Sequence, residues 1–194
     1  MKFTKILGVV VAAALALMAF ASSASATTLS INGSATTAVQ TIEASLKSGT
    51  SALLTDTSGF FANTCTTSTV KGKDSTRTTG TSVEGPIETL SWGTTATPCT
   101  EGNPTVDAKG TLSVEWTSNT NGTVKSKNAK VTVPSPFGLL TCTTPAEGTD
   151  LGTLTGVEEG NATMDINAVL SCGITAKWTG TYTVTSPSRL GVEP

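Results

Sequence analysis

An all-β fold, arranged as an antiparallel β-sandwich or as a flattened barrel, is what this 194-residue sequence predicts. Three observations point there. Many short segments alternate apolar and polar residues with period two, as half-buried strands do. Threonine and valine, which suit a pleated surface, recur throughout, and 19 glycines and 8 prolines punctuate the runs at turn-like strings such as "NTNG", "EGNP" and "PSPFG". Beyond the N-terminal leader, no apolar stripe repeats at helical spacing. Short strands separated by such turns build sandwiches and barrels, and a chain of this length can bury an adequate core. Two small sandwich-like halves are the other arrangement open to it. No proline-rich or charged linker divides the chain, so a single domain over residues 27–194 is expected.

The first element is a leader. Met1 to Ala26 read as a secretory signal peptide: Lys2 and Lys5 in the n-region, an uncharged apolar run from Ile6 to Phe20, then "ASSASA". Ala24 and Ala26 offer the small side chains that signal peptidase accommodates. The run falls short of the ~20 apolar residues a membrane-spanning helix needs. The mature product is therefore expected outside the cytoplasm, secreted or in the cell envelope, without stable insertion in a membrane. Loss of Lys2 and Lys5 leaves 10 of the 12 basic residues against 14 acidic ones, a formal charge of −4. A weakly acidic surface is the wrong footprint for a polyphosphate backbone, which excludes nucleic acid as a partner.

The strands follow in order. In "TIEASLK", Ile42, Ala44 and Leu46 face one way. In "PIETLSWG", Glu88, Leu90 and Trp92 share a face, and Gly93 marks a strand end. Leu112, Val114 and Trp116 align in "TLSVEW", and Ala129, Val131 and Val133 in "AKVTV". The clearest alternation is "ATMDINAVLSC", with Ala162, Met164, Ile166, Ala168, Leu170 and Cys172 on one side. Trp178, Tyr182 and Val184 line up in "WTGTYTV". Gly148, Gly152, Gly156 and Gly160 are spaced four apart, either as turn residues or as bare backbone that another strand approaches closely.

Cys65, Cys99, Cys142 and Cys172, in an exported chain, read as two disulfides. Three pairings are possible. The string "TCTT" surrounds both Cys65 and Cys142, which favours Cys65 with Cys99 and Cys142 with Cys172. Each bridge would close a loop of about 30 residues and contribute roughly 3–4 kcal/mol. Close-set cysteine pairs, which zinc and redox sites use, are absent.

The runs "SGTSALLTDTSGFFANTC", "LSVEWTSNTNGTVKSKNAKVTVPSPFG", "GTDLGTLTGVEEGNATMDINAVLSCG" and "WTGTYTVTSPSRLGVE" resemble a family of uncharacterised, threonine-rich secreted proteins of actinomycete-type bacteria. The similarity spans most of the mature chain. It implies export and a repeated all-β plan, and it carries over neither activity nor catalytic residue.

The chemistry is bounded by what is missing. The chain contains no histidine, which excludes hydrolases that depend on a histidine base. No nucleophile elbow or phosphate-cradling loop is present. Adjacent Glu158 and Glu159 would point to opposite faces of a strand, and the separated pair Glu115 and Asp165 is read as solvated charge. Asp165 and Asn167 lack the rest of a calcium loop. No catalytic residue, cofactor or metal is therefore expected. Trp92 remains as the candidate ligand-binding side chain, an aromatic platform for sugar. The expected role is a non-enzymatic structural or binding component, with a cell-wall glycan or another surface protein as partner; a carbohydrate-binding module and a histidine-free glycosidase are the alternatives. Protein recovered from culture medium is expected to begin at Thr27, and an N-terminal sequence retaining Met1 in the membrane fraction would defeat the export reading.

Overall fold

The computed structural model describes residues 26–74 and 80–194; the expected leader lies outside the described residues up to position 25. The fold is all-β, with no helix among the described residues. In chain order the strands are β1 (Thr28–Ile31), β2 (Ser34–Ala35), β3 (Thr41–Leu46), β4 (Ala52–Asp56), β5 (Ala62–Cys65), β6 (Ser68–Lys73) and β7 (Ser82–Trp92). There follow β8 (Thr105–Ala108), β9 (Thr111–Ser118), β10 (Asn121–Lys127), β11 (Lys130–Ser135) and β12 (Gly138–Thr143). The last are β13 (Thr149–Thr155), β14 (Thr163–Ser171), β15 (Thr175–Ser186) and β16 (Leu190–Glu193).

Most of these are pieces of taller strands. β3 and β4 run in the same direction along one edge of β15, interrupted by the excursion 47–51. β6 continues β5, β9 continues β8, β11 continues β10 and β13 continues β12, each after a short break. Turn-forming strings such as "KSGTS" at 47–51 and "TPAEG" at 144–148 occupy the breaks, which ring the molecule at a waist. Below the waist the circuit β15–β3–β6–β7–β9–β10–β13–β14 closes on itself through β14 and β15, so the antiparallel sheet takes its barrel form. Above the waist the order is β5–β4–β15–β14–β12–β11–β8, which no backbone ladder closes among the described residues. Buried Asn63 bridges the open seam: its Nδ2 donates to the carbonyls of Gly102 (3.0 Å) and Pro134 (3.4 Å), and its Oδ1 accepts from Glu101 N.

The lower end of the barrel is plugged by the small sheet β16–β1–β2. Leu29, Leu190 and Val192 of that sheet join Val124, Leu154, Met164 and Val184 in the main core. Thr27 is buried where the plug meets the barrel. Its backbone N donates to Gly80 O, and its hydroxyl donates to Thr81 O and accepts from Trp116 N. A second cluster, with Leu54, Phe61, Val133, Cys142, Cys172 and Ala176, fills the upper lobe.

Period two governs the core. Met164, Ile166 and Ala168 of β14 are buried between exposed Asp165, Asn167 and Val169. The run Glu88–Leu90–Trp92 is different. Lys71 lies opposite Thr89 and Gly72 opposite Ile87, so Glu88 is an extra, bulged residue. The bulge lets Ile87, Leu90 and Trp92 all face inward and turns Glu88 outward, where it pairs with Lys73 at 3.1 Å. Other cross-strand pairs, Glu43–Lys71, Glu115–Lys125 and Glu84–Lys127, dress the same surface. The more exposed of these, such as Glu43–Lys71, contribute little to stability.

The four-apart glycines divide between both readings. Gly148 (φ +99°) and Gly160 (φ +80°) are turn residues. A Cβ on Gly152 would meet Asp165 O at 1.9 Å, and one on Gly156 would meet Thr120 O at 2.1 Å, so those two permit close backbone approach.

The disulfides are Cys65–Cys99 and Cys142–Cys172, and no cysteine is free. They expose a repeat in the architecture. β3/β4, β5/β6, β7 and β8/β9 form one run of four tall strands; β10/β11, β12/β13, β14 and β15 form the next. In each run the bridge joins the second strand to the residues that follow the third. Both TCTT strings thus sit where the second tall strand breaks at the waist.

Ile166→Asp is expected to abolish folding or to lower stability by several kcal/mol, because it buries an unpaired carboxylate. Asn167→Asp, one residue on and exposed, is expected to change stability by less than about 0.5 kcal/mol. Denaturant unfolding of the two variants checks this, and similar behaviour would contradict the facing of β14.

Candidate functional site

Where the barrel meets the upper lobe, the interior is not filled. A half-open cavity of about 110 Å³ occupies the waist, and its wall is almost wholly apolar. Protein interiors ordinarily pack like organic crystals, with few voids larger than a water molecule. Each wall comes from a different stretch of chain. Met164, Ile166 and Leu170 of β14 and Trp178 and Tyr182 of β15 form one side. Val124, Val131 and Val133 from the β10/β11 strand face them. Cys65 and Cys142, one from each disulfide, also line the cavity.

The opening follows from strand pairing. β7 pairs β9 only from Ser82 to Pro86, and beyond the bulge no ladder joins β7 to β8 among the described residues. At the point of divergence Ile87 N donates to Gly110 O, and Lys109 Nζ donates to Glu88 O. Past it the strands splay. Half-buried Leu90, Trp92, Pro104, Ala129 and Val131 line the cavity on this side. The connection Gly93–Pro104 passes over the gap. It is pinned by Cys65–Cys99 and by Thr100 N donating to Thr64 O, and braced within itself by Cys99 N donating to Asn103 Oδ1.

Trp92 therefore sits at the mouth. Its ring is half-buried and stands edge to face with Trp178, at a centroid distance of 5.7 Å and an angle of 76°. Trp178 makes a similar contact with Tyr182 at 6.4 Å. Such pairs are worth about 0.5–1.5 kcal/mol beyond the area they bury. The polar atoms of Tyr182 and Trp92 are engaged: the Tyr182 hydroxyl donates to Ser68 Oγ (3.0 Å), Ser68 Oγ donates to Ser91 O (2.9 Å), and the Trp92 indole also hydrogen-bonds the phenol. Burial pushes the Tyr182 phenol above its ordinary value, and the bonds to Ser68 and Trp92 act in the opposite direction.

The remaining side chains singled out by sequence lie elsewhere. Glu115 pairs with Lys125 on the outer surface, and Asp165 Oδ1 accepts from the Thr181 hydroxyl there. Asn167 is exposed on the same outer face of β14, and Glu158 and Glu159 are exposed beyond β13. No carboxylate is among the residues lining the waist cavity. The chain matches no family model, no curated protein and no solved structure. The cavity's chemistry must be argued from its own wall.

Tyr182 offers a direct probe, because it is the one tyrosine in the sequence. Its folded pKa is raised above 10, so the fold favours the neutral phenol. The associated stability is fully present below pH 10 and is lost as pH rises through the folded value. Phenolate absorbance is expected to appear only above pH 10 and together with unfolding. Ionisation at pH 10 in a protein that remains folded would contradict the burial of this side chain.

Proposed function

We propose that this chain is an exported, non-enzymatic binding protein of the extracellular space or cell envelope, and that its waist cavity holds a small apolar ligand. The observation that carries the reading is the half-open apolar void at the centre of a stapled barrel. Left empty, a void of this size costs at most roughly 2–3 kcal/mol, the figure for an enclosed cavity at about 24 cal/mol per Å³. Engineered apolar cavities of about 150 Å³ stay dry and bind benzene. Eight-stranded barrels are of the right width to hold one small ligand. Export rests on the leader and on two disulfides, which persist in oxidising compartments.

A sugar platform needs an accessible ring face with polar neighbours. Trp92 offers instead a half-buried ring, edge-on to Trp178 and surrounded by apolar side chains and a disulfide. Hydrolysis of a glycosidic bond needs two carboxyl groups flanking the substrate, which the wall of this cavity does not supply.

Titration with toluene, followed through methyl NMR signals, is the test. Saturable shifts are expected at Val124, Met164 and Ile166. Ala129→Phe, which places a ring in the mouth, is expected to weaken binding more than tenfold while the protein still melts cooperatively. Trp92→Ala is expected to cost about 3 kcal/mol, near the low end for truncating a buried aromatic. Absence of any saturable shift in the wild type would sink the proposal. A glycan that binds the wild type and is lost in a folded Trp92→Ala variant would replace it with the sugar-binding alternative.

A further inference from the structure

The waist cavity is not isolated. A second void of about 80 Å³ lies below it in the barrel, bounded at its far end by Leu29 and Leu190 of the plug. The two voids share a single layer of wall residues: Val70, Ile87, Leu112, Val124 and Met164. They are stacked along the barrel, one from the mouth to this layer and the other from the layer to the plug. On β15 the upper void reaches from Trp178 to Tyr182 and the lower void continues to Val184. The six residue steps from Trp178 to Val184 span roughly 20 Å, or about 15 Å along the axis once the usual tilt of barrel strands is allowed for.

From this arrangement we infer that the ligand is a molecule with one linear alkyl chain, which enters at the mouth and runs down the barrel axis toward the plug. The inference rests on the cavity reading above and adds the shape of the occupant. Two narrow voids in line suit an unbranched chain, which can thread past the flexible Met164 and its neighbours. A compact ring would fill one void and leave the other empty. The aliphatic side chains of the dividing layer offer dispersion contacts to methylene groups and no polar partner for a head group. The charged residues along the lower void are already engaged, Lys73 with Glu88, Asp74 with Gln40 N and Glu84 with Lys127, so the polar end of the ligand remains at the mouth, between β7 and β8.

A homologous series of n-alkanols from butanol to dodecanol, each titrated by calorimetry against the full mature protein and compared with toluene, tests this. Affinity is expected to rise about fourfold per added methylene, the equivalent of about 0.8 kcal/mol, and then to level off when the chain reaches the plug. Ala44→Leu, which reduces the lower void, is expected to bring the plateau to shorter chains; Val83→Leu in the same void carries the same test should the first variant not fold. If toluene binds and the alkanols show no gain with length, the linear-chain inference is overturned while the cavity reading stands. An unbroken rise through dodecanol, unaffected by either variant, would also overturn it. If neither toluene nor any alkanol binds, both readings fall together.

Discussion

The β14–β15 hairpin is the constraint on which the rest of this fold depends. Nine consecutive pairs, from Thr163 opposite Thr183 to Ser171 opposite Thr175, run through the waist without a break. Below the waist this pairing closes the barrel; above it, the same two strands carry β12 on one side and β4 on the other. Other tall strands can break because this one pair holds both lobes in register. Its inner row, Ala162, Met164, Ile166 and Ala168 with Tyr182 and Val184, is buried throughout. Burying a large apolar side chain stabilises by about 1.5–3 kcal/mol, so this row anchors the lower core as well as the sheet.

The two runs of four strands differ at one place, and that difference makes the mouth. In the second run, β14 turns into β15 through Cys172–Ile174 and the strands remain paired. In the first, β7 and β8 are linked by the longer connection Gly93–Pro104 and diverge above the bulge at Glu88. Both runs keep a disulfide at this point. In one it secures a tight hairpin. In the other it ties the long connection to the end of β5, beside the gap between β7 and β8.

Where the chain alternates without interruption, its strands were legible in the sequence: the facing of Ile166, Trp178 and Tyr182 follows from period two alone. The cysteine pairing was legible as well, because the TCTT strings mark equivalent breaks. Two kinds of information were not. A bulge shifts the facing of everything beyond it, and nothing in "PIETLSWG" announces that Glu88 is the residue to be skipped. Nor does alternation say how well an inner face is filled. The cavity is a shortfall of volume summed over side chains from distant strands, and each of them, taken singly, reads as ordinary core. Trp92 drew notice as an aromatic near a strand end, but its chemistry is decided by Trp178 and Tyr182, which lie far from it in sequence.

The position of the staples bears on why such a void can persist. Cys65 and Cys142 both line the waist cavity, so each disulfide reinforces the wall where packing is absent. Each closes a loop of about 30 residues and constrains the unfolded chain by roughly 3–4 kcal/mol. Either bridge alone is enough to offset the roughly 2–3 kcal/mol that the empty upper void forfeits at most. A well-packed core would hold the lobes together without help. Here the interior is underfilled at the level where most strands break, and covalent bonds at that level take over part of what packing supplies elsewhere. A fold so arranged can keep its cavity open when empty, which is the condition that the proposed binding role requires.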